Sequence, residues 1–226
     1  MGYGGMSKLS STINGTLSKM KQTGGTGKGV YGEKAVLQVC EQIYQRCGGI
    51  LYHSYTYKTE PDKAGNIKRA GDGSLYIEKL SGVTEIDVLL ITPNKVFPIE
   101  VKAYKARKIV LTDEAIDGCF KVDKSPVHQN EMHCRHLYDK ILQGVPYGDL
   151  AFIEPIVVFV DNASIEDRRS DWQKEYIKCT TLNRLIKLLE ALDKPVDCQL
   201  DLILLDRLLR DSCVSSEKYL PVRIVE

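Results

Sequence analysis

An α/β domain, with a mixed sheet flanked by helices, is the fold class that this sequence of 226 residues predicts. Three observations carry it. Helix-patterned and strand-patterned segments alternate along the chain, as layered α/β folds require. PIVVFVD (155–161) is a continuous apolar run, the mark of a strand buried on both faces. TEIDVLLITPNKVFPIEVK (84–102) reads as two apolar strands joined by a Pro-Asn turn.

The elements follow in order. YGEKAVLQVCEQIYQRC (31–47) places Ala35, Val36, Val39, Cys40, Ile43 and Cys47 at helical spacing, with Gly48-Gly49 as the stop. ILYHSYTYK alternates as a strand, residues 59–74 are a polar, Gly-rich loop or hairpin tip, and LYIEKL is a short strand. After the opening hairpin, KIVLT and CFKVD read as short strands separated by the polar DEAIDG. PVHQNEMHCRHLYDKIL is a helix that Pro126 can begin. EYIKCT is a further strand, TLNRLIKLLEAL an amphipathic helix with Thr181 as its cap, and VDCQLDLILLDRLLRDS a last helix. No internal repeat is present. The expected organisation is a flexible basic extension over 1–30, a domain over 31–192 and a helical extension over 193–226 packed on it.

Composition is that of an ordinary soluble globular protein, with 43% hydrophobic and 27% charged residues. A net charge of +1 announces no polyanion partner, but its distribution does more. Residues 1–32 hold Lys8, Lys19, Lys21 and Lys28 and no acid, and Lys102, Lys105, Arg107 and Lys108 form a second basic group. Such patches suit phosphates, the alternative being solvated surface lysines. Leu9, Ile13, Leu17 and Met20 offer another role for the extension, a helix docked on the domain, on a second subunit or on a partner protein. Seven cysteines with no CxxC spacing, no signal-peptide pattern and no apolar run of membrane-spanning length place the chain in the cytoplasm with reduced thiols. GGTGKG falls short of a phosphate-binding loop, because Gly29 follows Lys28 where Ser or Thr is needed.

The hairpin poses a question, since Asp87, Glu100 and Lys102 stand among residues that should be buried. With Pro93-Asn94 as a two-residue loop, paired positions sum to 187 and Asp87 faces Glu100, their Cβ atoms roughly 5 Å apart. Lys102 then shares their face, while Ile86, Val88 and Leu90 meet Val101, Ile99 and Phe97 on the other. Pro93 suits such a turn poorly, and Pro98 calls for a bulge or an edge position, so a longer loop is the alternative. Two carboxylates held together repel unless a cation lies between them, and hard oxygen donors suit Mg²⁺ or Mn²⁺. The competing reading is a surface hairpin whose acids and lysine form salt bridges. His128, His133, Cys134 and His136 invite zinc, but no second ligand pair at zinc-finger spacing accompanies them, and Cys134 points away from His133 toward the core.

An acid followed by a strand ending in Glu-Val-Lys resembles the signature of the PD-(D/E)XK nuclease superfamily. YGEKAV, TEIDVLLITPNKVFPIEVK, SPVHQNEMHCRHL and IVVFVD, in that order, resemble its nuclease-related domain (NERD) branch over roughly residues 31 to 192. The resemblance implies a restriction-endonuclease-like core in the order α-β-β-β-α-β, and a metal-dependent DNA endonuclease. It implies Asp87 and Glu100 as metal ligands, the carbonyl of Val101 as another, and Lys102 as the catalytic lysine. Glu33 matches the family's additional acid, and Gln129 the polar residue on the helix after the sheet. Helical spacing sets Gln129, His133 and His136 on one face, within approach of a scissile phosphate. After Lys102, AYKARK departs from the family's Asn- and Gly-containing turn. The alternative function is a module that keeps the fold without turnover and binds nucleic acid or protein.

Overall fold

The computed structural model describes residues 25–58, 66–69, 75–78, 83–104, 106–113, 115–117, 123–124, 126–140, 152–161, 163–195 and 199–225. The basic segment with Lys8, Lys19 and Lys21, and the spacing of Leu9, Ile13, Leu17 and Met20, lie outside the described residues. The elements run α1 (Gly25–Cys47), β1 (Gly49–Lys58), β2 (Asn66–Arg69), β3 (Leu75–Glu78), β4 (Val83–Ile91), β5 (Val96–Lys102), β6 (Lys108–Leu111), β7 (Ala115–Asp117) and β8 (Asp123–Lys124). Then follow α2 (Pro126–Lys140), β9 (Ile156–Phe159), β10 (Ser164–Asp167), α3 (Asp171–Tyr176), β11 (Lys178–Thr181), α4 (Leu182–Leu192), α5 (Leu202–Ser212), β12 (Cys213–Ser215) and β13 (Lys218–Arg223).

The main sheet is mixed, in the order β11-β9-β5-β4-β1-β12, with β13 also paired to β1. Strands β5, β9 and β11 are parallel; β4 and β1 are antiparallel to their neighbours. Helices cover both faces. Val36, Val39 and Ile43 of α1 and Leu185 and Leu189 of α4 pack with Val88, Leu90, Phe97 and Ile99 on one side. Cys134 and Leu137 of α2 and Leu205 and Leu209 of α5 pack with Tyr52, Tyr55, Tyr57 and Leu89 on the other. The central run of β9 is buried on all four residues, as its lack of alternation requires. A smaller sheet, β10-β6-β7-β8, and the hairpin β2-β3 complete the fold.

Several elements differ from the expected ones. Helix α1 starts at Gly25, so GTGKG is helical where a flexible linker was expected. Propagation from a packed helix adds one hydrogen bond per residue, which offsets the poor propensity of its glycines. At its other end Gly48 takes φ 75° and donates its N–H to the Tyr44 carbonyl, the left-handed stop that glycine favours. Strand β11 starts at Lys178, because Glu175 and Tyr176 still belong to α3. Thr181 holds the N-cap position of α4, but its hydroxyl makes no capping bond. DEAIDG contributes strand β7, and residues 164–167 a strand the sequence reading lacked. Among the described residues after 193 only Leu202–Ser212 is helical, and the chain then returns as β12 and β13 to line the outer edge of β1. Tyr219 and Val222 pack with one core cluster and Leu220 with the other; the break in alternation between 220 and 222 coincides with the register shift of this ladder between Gly49 and Leu51.

The β4–β5 register keeps the sum of 187, from Val88↔Ile99 to Ile91↔Val96. Its turn is held by side chains: Thr92 Oγ1 accepts from Asn94 N (3.2 Å) and Lys95 N (3.0 Å) and donates to Asp193 Oδ1 (2.6 Å). These bonds explain how Pro93-Asn94 turns the chain with no residue there at positive φ. Pro98 stands in an interior strand without a bulge, contrary to expectation. The parallel ladder with β9 begins one residue later, at Ile99↔Ile156, so its missing N–H falls ahead of that ladder. Its carbonyl accepts from Asn130 Nδ2 (3.2 Å), which also reaches the Ile156 carbonyl (2.9 Å) and so ties α2 to both strands. Asn130 is fully buried. Asn130→Ala should therefore lower stability by about 2 kcal/mol, the cost of leaving buried carbonyls unpaired, as read by urea denaturation.

Candidate active site

The site forms where β4, β5 and the two helices α1 and α2 meet. The β4–β5 ladder stops at Val88↔Ile99. Past it, the Asp87 carboxylate replaces backbone pairing: its Oδ2 accepts from the Val101 N–H at 2.6 Å. Opposite Asp87 in the β1–β4 register stands Ser54, the one described non-glycine residue at positive φ (57°). Both strands switch faces at this level. Leu51 and Val88 point to α1, whereas Tyr55 and Ile86 point to the α2 side. Ile86 thus leaves the face it was expected to share with Val88 and Leu90. The switch lets acids gather from both sides of the sheet.

Glu100 lies under α2 at 1% exposure. Its Oε1 accepts from Lys102 Nζ, and that ammonium also donates to Gln129 Oε1 at 3.2 Å. Its Oε2 lies 3.4 Å from His133 Nε2, and neither atom has a hydrogen-bond partner that meets strict geometry. Glu33 enters from α1. A Cβ on Gly32 would come 2.7 Å from Val160 Cγ2, so the glycine lets this turn sit close over the end of β9. Burial pushes the Asp87 carboxyl up to about 8; the Glu100 charge adds to the rise, the Val101 N–H opposes it, Glu33 raises it further and Lys102 lowers it. Asp87, Glu100, Lys102, Glu33 and Gln129 therefore fall in one electrostatic neighbourhood. The contact recorded at Val101 is its N–H, on Asp87.

Three residues of this neighbourhood escaped the sequence reading. His53 of β1 is 5% exposed, with Nδ1 3.2 Å from Glu217 Oε2 and Nε2 3.8 Å from Glu33 Oε2. Tyr57 holds His133 Nδ1 at 2.9 Å. Asn130 anchors α2. A polar residue on a strand facing a helix is the only signal for His53, and it does not separate a site from a satisfied core group. Gln129, His133 and His136 do share a face of α2, but His133 is buried behind Glu100, so Gln129 is the one exposed to a substrate. Cys134 packs in the core; the His128 side chain lies outside the described residues.

A hard cation fits Asp87 and Glu100. The buried Glu100 Oε2 has no hydrogen-bond partner, and Asp87 carries a repulsion that positive charge would relieve. Among the described residues no group of three or more His, Cys, Asp or Glu is arranged to hold a metal ion. An ion held by these two carboxylates alone would need water or substrate for its other ligands.

The raised Asp87 pKa has a stability consequence. Below the unfolded value of 3.8 the carboxyl is protonated in both states and costs nothing. Between 3.8 and about 8 the unfolded state ionises first, so stability falls as pH rises. Above that range the full penalty applies. Asp87→Asn keeps an acceptor for Val101 and removes the penalty. In metal-free buffer this variant should melt several degrees above the wild type at pH 8, with the difference vanishing toward pH 4. Equal offsets at both pH values in a melting series would contradict the assignment.

Comparison with family models matches residues 28–160 to the nuclease-related domain, NERD. The match spans α1, the β4–β5 hairpin, α2 and β9, more than half of the chain. No curated protein and no solved structure matches the chain. Among the described residues no helix is long and apolar enough to cross a membrane. With its mixed sheet, its flanking helices and this match, the chain belongs to the nuclease-related domain family.

Proposed function

We propose that the protein is a divalent-metal-dependent nuclease of the PD-(D/E)XK type that hydrolyses DNA phosphodiester bonds, acting as an endonuclease. The observation that supports this reading is the buried Glu100, one oxygen paired with Lys102 and the other without a hydrogen-bond partner, its charge acting on Asp87. Asp87 and Glu100 would hold Mg²⁺ or Mn²⁺, with Glu33 and the Val101 carbonyl as the further donors to be tested. When bound, the ion supplies Lewis-acid charge to the phosphodiester and acidifies water. The chain's own residues do the rest. Lys102, partly exposed and steadied by Glu100 and Gln129, presents its ammonium where negative charge develops on a pentavalent phosphorus. Gln129, exposed at the start of α2, keeps its amide NH₂ for a phosphate oxygen. The cytoplasm is the proposed location.

Plasmid nicking with Mg²⁺, Mn²⁺ or EDTA tests the reading. Cleavage should need the ion, and Glu100→Gln and Lys102→Ala should each lose on the order of 10²–10³ in rate while keeping the wild-type circular dichroism spectrum. Undiminished cleavage by both folded variants would remove the assignment. A second reading is a nucleic-acid or protein interaction module without turnover, favoured by the lack of a three-donor metal group among the described residues. It predicts DNA or protein binding with no nicking under any ion.

The basic segment ahead of α1 is proposed to capture DNA. Because α1 begins at Gly25, the clean test deletes residues 1–24. Loss of Lys8, Lys19 and Lys21 should flatten the salt dependence of DNA binding by up to about 3 units of slope, with cleavage at saturating DNA retained. An unchanged slope together with a lower molecular mass by light scattering would instead assign the segment to a second subunit or partner.

A further inference from the structure

Glu100 is held from below by a pair the proposed chemistry does not use. His133 and Tyr57 are each 1% exposed, and Tyr57 Oη stands 2.9 Å from His133 Nδ1. A phenol is protonated across the working pH range, and burial raises the Tyr57 value further. Tyr57 therefore has a hydroxyl hydrogen to give to Nδ1. A neutral imidazole that accepts at Nδ1 carries its hydrogen on Nε2. That nitrogen lies 3.4 Å from Glu100 Oε2, short of a formed hydrogen bond, and both atoms are buried without another partner. His136 stacks on Tyr57 at 3.5 Å and 14°, which fixes the phenol ring and so its hydroxyl.

We infer that His133 is a positioning residue for Glu100: Tyr57 sets its tautomer, and its Nε2–H holds the Glu100 carboxylate in the plane facing Asp87. Lys102 fixes Oε1 from the open side, and His133 steadies Oε2 from the closed side. The carboxylate cannot then turn away when a cation approaches. Outer partners of this kind are typically worth 10–100-fold in metal affinity or activity. The inference rests on the proposed reading of Glu100 as a metal ligand, but the approach of His133 to Glu100 does not.

The test has two parts. In metal-free protein, long-range ¹⁵N–¹H spectra of the His133 ring should show the hydrogen on Nε2, and Tyr57→Phe should mix the tautomers. A hydrogen on Nδ1 in the wild type would overturn the inference. Calorimetry with Mn²⁺ should then show a 10–100-fold weaker affinity in His133→Leu, partial recovery in His133→Gln, whose amide can donate, and a KM for DNA near that of the wild type with a lower kcat. Wild-type Mn²⁺ affinity in folded His133→Leu would also overturn it. If that variant fails to fold, Tyr57→Phe, nearly unchanged in volume, carries the measurement with the same expected direction. A wild type that neither binds Mn²⁺ nor cuts DNA would end the nuclease reading, and the tautomer spectrum would still decide the His133–Glu100 bond.

Discussion

A carboxylate taken almost wholly out of water is costly unless other groups meet both of its oxygens. Glu100 is that group, and much of the fold is arranged around it. Its strand, β5, lies inside the sheet, between β4 and β9. Helix α2 covers it, with Asn130 bonded to the carbonyls of Pro98 and Ile156 on those central strands. Lys102 meets one oxygen and His133 approaches the other. Asp87 comes alongside because its own strand stops pairing and lets the carboxylate take the Val101 N–H. The same desolvation that makes the pair expensive underlies the proposal that a cation binds there.

The hairpin was legible because alternation and a count of residues fix a register once the turn is placed. The doubt over Pro93 came from local turn rules, and the answer is not local. Thr92 and Asn94 both bond Asp193, about a hundred residues away, and the Pro93 carbonyl accepts from Leu200 N. The face on which Ile86 lies was misjudged for a related reason. Strict alternation presumes regular strands, and Ser54 at φ 57° breaks it in a neighbour that the hairpin sequence does not contain. Asp87, Glu100 and Lys102 stood out as charges among apolar strand residues, whereas Glu33 and Gln129 were singled out through the family pattern. His53 and Tyr57 sit on a strand with no motif, and only tertiary contact singles them out.

The strands after α5 were missed because KYLPVR is short, holds Pro221 and follows a strong helical pattern. Its proline is tolerated beside an outer strand, and its carbonyl accepts from Tyr44 Oη of α1 at 2.9 Å. The backbone N–H of Glu217 also donates to the His53 carbonyl. The segment after α5 therefore reaches the histidine that stands beside Glu33.

That return has a meaning in time. On one side β1 pairs with β4, which follows it early in the chain; on the other it waits for β12 and β13, which come after every helix. A chain emerging from the ribosome can assemble its hairpin, α2 and β9 well before that outer edge is covered. Until then a long strand rich in tyrosine presents unpaired amides and carbonyls, the kind of edge that recruits other strands. The strands after α5 thus act as a late seal on the edge of β1.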